Sequence, residues 1–360
     1  MSKLVLRKMA QEHVYKVLFF LQSAAFIAFV INYSQKSDVV FAPVRQSPPV
    51  RQSPPATTAP RECKCIEATI RTAFDAAAVC KDVLESRGKI SNCTLADINR
   101  RPGVVLLTTT NLAFLDVTLN MLESIKRTGV CVNTTVIAED KKVFEQLRMR
   151  LDGDLAYRVL LTNSGEMDVI EHPRSHGSQY YGLMNKRQAY ILALLQEGYE
   201  VLFSDADTFW FRDPFPFFEG DFDISLIDSV NPFGVRSGKS NFCAGFVYFK
   251  PTNASLQFVK AWVDALDSNK KKGRYTPDQN VMNGLLKSDK PVYVKIKPLD
   301  TNIFPYGPKF YDLLAKKANY STVVMHAASI RGHEAKVTKF KSSDMWLVNK
   351  TTNEMLAEST

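Results

Sequence analysis

The sequence lacks the signatures of several common protein classes. It has no zinc-finger or RNA-binding motif and its basic residues are dispersed, which argues against a nucleic-acid-binding protein despite a formal net charge of +9. A solvated face, or attraction to an anionic ligand, explains the charge better. No serine–histidine arrangement or activated cysteine stands out, so a hydrolase with a covalent intermediate is disfavoured. With 45% hydrophobic residues in a chain of 360, there is enough apolar content for one large α/β domain.

Paired C-x2-C spacing, the usual mark of a zinc site, is also missing. The six cysteines are an even set that suits disulfides in an oxidising compartment: Cys63, Cys65, Cys80, Cys93, Cys131 and Cys243. We expect bridges mainly among the first four, which lie near the N-terminal segment. The last two lie in strand-like apolar runs and are expected to be packed core thiols or to form a bridge. Spacing alone leaves the connectivity open.

An uncharged, mostly apolar stretch occupies residues 17–33 and follows the basic residues Lys3, Arg7, Lys8 and Lys16. As a helix it would be about 25 Å long at roughly 1.5 Å per residue, a short span that suits the thinner membranes of the early secretory pathway. Positive charge before the span predicts a cytoplasmic N-terminus. We therefore predict a transmembrane signal-anchor, with a cleaved signal peptide as the alternative.

The segment that follows the apolar stretch is rich in Pro, Ser and Thr and repeats "VRQSPP". Such a composition favours extended polyproline II and cannot bury a core, so it predicts a stem that spaces a domain from a membrane. Sequons of the type N-x-[ST] predict that the chain beyond the stem is lumenal, and they lie at Asn92, Asn133, Asn253, Asn319 and Asn349.

From about Arg101 onward, strand-like and helix-like segments alternate. Strands are predicted in "VVLLTTT", "VCVNTTVIAED", "RVLLTN" and "EVLFSD", and helices in "LAFLDVTLNMLESIKRTG", "KKVFEQLRMRL" and "YYGLMNKRQAYILALLQEG". This alternation predicts an α/β domain with a mostly parallel sheet and helices on both faces. In such sheets, ligands bind beyond the carboxyl ends of the strands.

Two carboxylates, Asp205 and Asp207, lie at that end of the strand in "YEVLFSDADTFW". In an extended chain, residues i and i+2 project to the same face, roughly 6 to 7 Å apart, so one hard cation could lie between them. The competing interpretation is a strand-end turn with helix-capping aspartates. The other D-x-D pairs, in "LDGDL" and "EGDFD", are interpreted as solvated turns.

Several segments together resemble one protein family. In chain order they are "TTTNLAFLDVTLNMLESIKRTGV", "NKRQAYILALLQEGY", "GYEVLFSDADTFWFRDPFPFF", "NFCAGFVYFKP", "PDQNVMNGLL" and "VVMHAASIRGHEAKVTKF". They resemble the nucleotide-diphospho-sugar transferase family related to plant glycosyltransferase family 77, over roughly Pro102 to Phe340. The resemblance implies an A-type glycosyltransferase fold, a Rossmann-like mixed sheet flanked by helices.

The resemblance also implies roles for individual residues. Asp205 and Asp207 would bind Mn²⁺, or another divalent cation, which bridges the donor diphosphate, and His326 would complete the metal site. Lys336, in the closing loop that contains Gly332, would neutralise diphosphate oxygens. For the histidine the alternative is a capped or core residue, and for the lysine a solvated surface residue.

Other matched positions would hold the donor and the acceptor. Lys186 and Arg187 would reach the donor sugar or phosphate, with plain surface charge as the alternative. Asp278 resembles a residue on the acceptor side, although it also suits the first turn of a helix. The uridine and ribose would be held by the threonines that end the first strand, Thr108, Thr109 and Thr110.

These features predict a type II Golgi membrane glycosyltransferase that moves a sugar from a UDP-sugar to an acceptor hydroxyl on a glycan or glycoprotein. The sequence features leave open whether the anomeric configuration is retained or inverted, and the resemblance implies retention. Two alternatives are a non-catalytic lumenal carbohydrate-binding or scaffold protein and a glycosidase, which needs two carboxylates flanking the scissile bond. The predicted organisation is a cytoplasmic tail at 1–16, an anchor at 17–33, a stem and cysteine-containing neck at 34–100, a catalytic domain at 101–345 and a tail at 346–360.

Overall fold

The structure is a computed structural model that describes residues 93–162, 181–182, 184–230, 240–288, 292–319 and 321–349. The predicted cytoplasmic tail, the anchor and most of the stem, with Cys63, Cys65 and Cys80, lie outside these residues. Within the described ranges, no helix is both long enough and apolar enough to cross a bilayer.

Among the described residues, strands and helices alternate from Leu95 to Ser204, as the sequence pattern predicts, and beyond Ser204 three further strands precede the next α-helix. The helices are α1 (Leu95–Ile98), α2 (Leu115–Thr128), α3 (Lys141–Leu151), α4 (Arg187–Gln196), α5 (Asn253–Lys271), α6 (Asp278–Ser288), α7 (Gly307–Ala315) and α8 (His333–Lys341). The strands are β1 (Val104–Thr110), β2 (Asn133–Ala138), β3 (Tyr157–Leu161), β4 (Glu200–Ser204), β5 (Thr208–Trp210), β6 (Ile224–Asp228), β7 (Phe242–Phe249), β8 (Ile296–Leu299) and β9 (Val324–His326). Two 3-10 turns lie at Leu112–Phe114 and Phe215–Phe218.

Local signals set the ends of several helices. Gly129 ends α2 with a φ of 73°, a left-handed conformation that glycine adopts without a steric cost. Asp140 is the N-cap of α3, and its carboxylate accepts a hydrogen bond from the backbone N–H of Val143 at 2.8 Å. The helix predicted from "YYGLMNKRQAYILALLQEG" is shorter than expected, because Asn185 and Lys186 form a turn before α4 begins.

The main sheet has seven strands in the order β3-β2-β1-β4-β7-β6-β8, and β5 and β9 form a separate two-stranded sheet. β1 is parallel to β2 and β4, and β3 and β8 are also parallel to their neighbours. β7 is antiparallel to both β4 and β6, so the sheet is mixed. Because β7 runs against β4, with Phe246 opposite Ser204, the first half of β7 lies beyond the carboxyl end of β4.

Helices cover both faces of this sheet with two separate apolar cores. Leu106 and Leu202 contribute to the face that packs against α2 and α3. Leu107 and Phe203 contribute to the opposite face, which packs against α4, α5 and α6 around Trp262. Neighbouring residues of one strand thus enter opposite cores, as the two-residue period of a strand requires. The strands are held rigidly from both sides, and their carboxyl ends form a fixed edge.

A disulfide joins Cys93 to Cys131, whose Cα atoms are 5.5 Å apart. The expectation of pairing mainly among the first four cysteines is therefore wrong for Cys93. The physical reason is the parallel pairing of β1 and β2, with Val105 opposite Asn133, which places the segments that enter the two strands side by side. Cys243 is a buried free thiol, one of the two outcomes expected for it.

Removal of this disulfide should destabilise the domain. The bridge closes a loop with a sequence separation of 38 residues. Loss of a loop constraint of that size corresponds to about 3–4 kcal/mol in the chain-entropy description. In urea unfolding, the double variant Cys93→Ser/Cys131→Ser should lose about that much free energy of unfolding. With a reductant present, wild type should have the same free energy of unfolding as the variant. If the two proteins have equal free energies of unfolding without reductant, the prediction is contradicted.

Candidate active site

Asp205 and Asp207 lie directly after β4, at the carboxyl end of a central strand, as predicted. The backbone N–H of Asp205 donates to the carbonyl of Gly245 on β7 at 2.7 Å. The carbonyl of Asp207 accepts from the N–H of Ala327, just after β9, at 3.0 Å. Each aspartate is thus fixed by a backbone contact to a different strand.

His326 joins the two carboxylates because β5 and β9 pair in an antiparallel manner, with Thr208 opposite His326. Its Nε2 atom is 3.4 Å from Oδ2 of Asp205 and 3.2 Å from Oδ1 of Asp207. The three potential ligand atoms lie within 4.8 Å of one another. Carboxylate oxygens and one imidazole nitrogen form a donor set that fits a divalent cation such as Mn²⁺.

Lys336 provides a positive charge at the other side of Asp207. Its Nζ is 2.6 Å from Oδ2 of Asp207 and also donates to the carbonyl of Ala327 at 2.9 Å. Burial acts to raise the pKa of Asp207, but the charges of Lys336 and His326 outweigh it and hold this pKa well below its usual range. Lys336 is therefore part of the cluster and is not a solvated surface lysine.

His326 has contacts on both ring nitrogens. Burial acts to lower its pKa, but the neighbouring carboxylate of Asp207 outweighs this effect and raises the pKa well above its usual range. On the other side of the ring, Nδ1 lies 3.4 Å from Sγ of Cys243 on β7. A contact on the second nitrogen fixes the orientation of a histidine that faces a metal site.

Arg187 connects the cluster to α6. Its guanidinium pairs with Oδ1 of Asp205, and its Nε donates to Oδ2 of Asp278 at 2.7 Å. Asp278 also accepts from the side chain of Gln188 at 2.6 Å, and its burial raises its pKa in spite of the arginine. Arg187 is buried and is therefore not plain surface charge. Asp278 is also buried, and it is the first residue of α6, the helix position that the sequence left open for it.

Lys186 points away from its neighbour Arg187. Its Nζ lies 3.6 Å from Oε2 of Glu139, the residue that directly follows β2. Glu139 is buried, its pKa is raised by that burial, and it also contacts Tyr190 and Thr162. The basic pair is thus divided: Arg187 faces the D-x-D motif, and Lys186 faces the end of β2.

The three threonines at the end of β1 differ in their contacts. β1 and β4 pair in parallel up to Leu107 and Phe203, so Thr108 follows beside Ser204. Among the described residues, the buried Oγ1 of Thr108 has no hydrogen-bond partner. Thr109 is half-buried, and the hydroxyl of Thr110 contacts that of Thr118 at 2.7 Å. Thr108 is thus the threonine of the three whose buried hydroxyl lacks a hydrogen-bond partner among the described residues.

Two of the aspartates interpreted as solvated make contacts within the fold: Asp154 is buried and Asp223 is half-buried. Asp154 pairs with Lys126 at 3.2 Å, and Asp223 accepts from the hydroxyl of Thr252 at 2.6 Å. Each carboxylate ties two separated parts of the fold together, which turn chemistry alone does not reveal. Asp152 and Asp221 are exposed, as predicted.

Four further residues lie at the site although the sequence analysis gave them no role there: Asn111, Glu139, Cys243 and Gly245. The buried amide of Asn111, next after β1, has no hydrogen-bond partner among the described residues. Gly245 faces the cluster so closely that an added Cβ would lie 2.1 Å from Oδ2 of Asp205 and 2.3 Å from Cε1 of His326. For Asn111 and Glu139 the available signal was a position at or just beyond a predicted strand end. Cys243 and Gly245 lie within β7, where no local signal marks them.

Comparison with known proteins indicates the family of this chain. Residues 129–340 match a family model described as nucleotide-diphospho-sugar transferase. A UDP-D-xylose:L-fucose alpha-1,3-D-xylosyltransferase of Arabidopsis thaliana is 23% identical over 269 residues, which cover 70% of this chain and 72% of the relative. A UDP-galactose:fucoside alpha-3-galactosyltransferase of Dictyostelium discoideum is 24% identical over 205 residues, which cover 52% of this chain and 32% of the relative.

Solved structures of glycosyltransferases are also similar to this chain. The galactosyltransferase LgtC, in complex with donor and acceptor sugar analogs, has a TM-score of 0.43 and 13% identity, and the match covers 68% of this chain and 98% of that one. The apo form of the glycosyltransferase GlyE of Streptococcus pneumoniae has a TM-score of 0.42 and 14% identity, with 68% and 64% covered.

Substitution of Gly245 by alanine should disrupt the cluster without unfolding the protein. The new methyl group would occupy the space of the Asp205 carboxylate and the His326 ring. We expect Gly245→Ala to lose Mn²⁺ binding, measured by calorimetry, and about 10²-fold or more in turnover, as for loss of a key electrostatic contact. Its circular dichroism spectrum should match wild type.

The matched control is Gly284→Ala in α6, where an added Cβ has no atom within 4 Å. Alanine in a helix is about 0.5–1 kcal/mol more favourable than glycine, so this variant should keep activity and gain slightly in stability. Wild-type Mn²⁺ affinity in Gly245→Ala contradicts the close approach seen in the structure.

Proposed function

Because the chain belongs to the nucleotide-diphospho-sugar transferase family, we propose that it transfers a sugar from a UDP-sugar to an acceptor hydroxyl with the help of a divalent metal ion. Family membership makes it a glycosyltransferase that uses a nucleotide sugar. The finer proposal is carried by the convergence of Asp205, Asp207 and His326 at the carboxyl end of β4. The cationic side chains of Arg187 and Lys336 lie beside them. We assign the domain to the A-type glycosyltransferase fold.

The donor set supports Mn²⁺ as the metal. Asp205, Asp207 and His326 would hold it, since their ligand atoms already lie within 4.8 Å of one another. Mn²⁺ prefers hard oxygen ligands and accepts an imidazole, which is the donor set present here. Metals that select thiolate ligands are a poorer match for it. Bound there, the ion supplies a Lewis acid for the negative charge that develops on the leaving diphosphate.

Lys336 and Arg187 supply the positive charges around the reaction. In the structure they neutralise the two aspartates, Lys336 at Asp207 and Arg187 at Asp205. When the aspartates hold a metal ion, the ammonium of Lys336 is available to donate to diphosphate oxygens as a point charge. Arg187 stays oriented by Asp278 and can contact the donor sugar or phosphate without losing its second partner.

The end of β1 is the proposed nucleoside site. Thr108 has a buried hydroxyl and Asn111 a buried amide that lack hydrogen-bond partners among the described residues. A buried polar group without a partner costs roughly 1–3 kcal/mol, so hydrogen bonds from a ligand to these two side chains would be favourable. Uridine and ribose offer the matching donors and acceptors, and Glu139 with Lys186 lies at the end of the neighbouring strand.

The names of the relatives support a donor and an acceptor class. They describe transfer of xylose or galactose from UDP to fucose or a fucoside, in an alpha linkage. We propose UDP-xylose or UDP-galactose as the donor and a fucoside as the acceptor. In these donors the sugar–phosphate bond is also alpha. The product linkage then has the same anomeric configuration as the donor, so we propose a retaining transfer. Asp278 is buried beside Arg187, and its proposed role on the acceptor side is to hold the arginine in place.

Golgi localisation is proposed from the sequence. The apolar stretch at 17–33, its basic flank and the Pro-rich stem support a type II anchor with a lumenal catalytic domain. The side chains of Asn253 and Asn349 are exposed, which suits their use as glycan acceptors. The Cys93–Cys131 bridge is typical of an oxidising compartment.

The metal site is tested by turnover of UDP-xylose and UDP-galactose with a fucoside acceptor. Replacement of Asp207 by Asn keeps the shape and removes the charge, so turnover should fall by about 10²–10³-fold, as for loss of one electrostatic contact with the transition state. EDTA should abolish the activity of wild type and Mn²⁺ restore it.

The matched control is Asp152→Asn, which changes an exposed aspartate of another D-x-D pair and should cost little. Calorimetry should show metal-dependent UDP binding in wild type and in this control, and much weaker binding in Asp207→Asn. Equal UDP–Mn²⁺ binding in wild type and Asp207→Asn would make the D-x-D motif a structural turn.

Topology is tested in sealed microsomes. The domain should be protected from added protease, and peptide:N-glycosidase should lower the apparent mass. The double variant Asn253→Gln/Asn349→Gln should show a smaller mass shift than wild type. A chain that carries no glycan and is cut by external protease is not lumenal.

A further inference from the structure

A second pair of an imidazole and a carboxylate lies apart from Asp205, Asp207 and His326. His333, the first residue of α8, has its Nε2 atom 2.7 Å from Oδ1 of Asp116, in the first turn of α2. The side chain of Asp116 is fully buried, and that of His333 is 10% exposed. The ring of Phe114 packs edge-on against the imidazole, with centroids 5.8 Å apart.

This pair is a specific contact between two elements. An ionised carboxylate has no proton to donate, so the imidazole Nε2 is the donor in a hydrogen bond to it. Asp116 also accepts from the backbone N–H of Val117 at 2.8 Å, and an acidic side chain is favoured in the first turn of a helix. Burial of such a carboxylate is costly unless it is paired, which makes the contact with His333 a strong restraint on α8.

The restraint acts on the turn that carries Lys336. Gly332, with a φ of 84°, leads the chain into α8, and Lys336 lies three residues after His333. Residues three apart lie on neighbouring positions of a helix surface. The first turn of α8 is thus held at two points, by His333 to α2 and by Lys336 to Asp207 and Ala327. Further along, Val337 and Phe340 hold the helix by apolar packing.

We propose that His333 and Asp116 are positioning residues of the transfer reaction, which fix the first turn of α8 so that Lys336 reaches the donor diphosphate. This inference rests on the proposed function, in which Lys336 serves that diphosphate. When the ammonium turns from Asp207 to the donor, its contact with the D-x-D motif no longer restrains the turn. The contact between His333 and Asp116 does not involve the donor and continues to restrain it.

The test is a double-mutant cycle between His333 and Lys336. UDP binding in the presence of Mn²⁺ is measured by calorimetry, and donor kcat and KM are measured in parallel. His333→Ala should weaken UDP binding by about tenfold, the effect of losing one hydrogen bond to a charged group. His333→Gln, which keeps a donor N–H at the end of the side chain, should recover most of the loss. In a Lys336→Ala background, His333→Ala should cause no further loss, because both changes remove the same interaction.

Two further variants keep the result decisive. His333→Phe fills the ring volume beside Phe114 without a donor and replaces the alanine variant if that one does not fold. Glu334→Ala changes the next, solvent-exposed residue of α8 and should leave UDP binding unchanged. Additive losses in the cycle, or wild-type UDP binding in both His333→Ala and His333→Phe, overturn the positioning role.

Failure of the proposed function has a different signature. If wild type shows no Mn²⁺-dependent UDP binding, the proposed function falls and the positioning role falls with it. If wild type binds UDP and Lys336→Ala weakens this binding while the His333 variants do not, only the positioning role falls.

Discussion

The need to neutralise two partly buried carboxylates governs the arrangement of this domain. Asp205 and Asp207 lie side by side at the end of a central strand, where unpaired charge would cost several kcal/mol. Their partners come from three separate elements: Arg187 from α4, His326 from β9 and Lys336 from α8. Under the proposed function, a metal ion would replace Lys336 as a partner of the aspartates, and the diphosphate would become the partner of Lys336. In that case, the stability of the domain and its affinity for the donor depend on one set of groups.

The fold places these groups by backbone geometry more than by side-chain adaptability. The antiparallel strand β7 brings Gly245 and Cys243 beyond the end of β4, where the glycine leaves room for the cluster and the thiol contacts His326. The small sheet of β5 and β9 pairs Thr208 with His326, which brings the histidine beside the preceding D-x-D motif. Apolar cores on both faces of the main sheet hold this edge rigid, which suits a site that must be organised before its ligand binds.

Sequence reasoning predicted most of the fold because the signals were local. The alternating strand and helix patterns, the stop at Gly129 and the D-x-D motif at the end of β4 were all readable from neighbouring residues. The bridge between Cys93 and Cys131 was missed, since it depends on which strands become neighbours in the sheet. The long-range contacts of Asp154 and Asp223 were missed for the same reason, because their partners Lys126 and Thr252 are distant in sequence.

The sequence by itself determined the family, the order of the elements and the residue types at the site. Only the tertiary structure decided how those residues are paired: that Arg187 and Lys186 face different strand ends, that Asp278 meets Arg187, and that His333 meets Asp116. The physical reason is that periodicity and turn chemistry act over a few residues, whereas each of these contacts joins elements that only the packing of the whole sheet brings together.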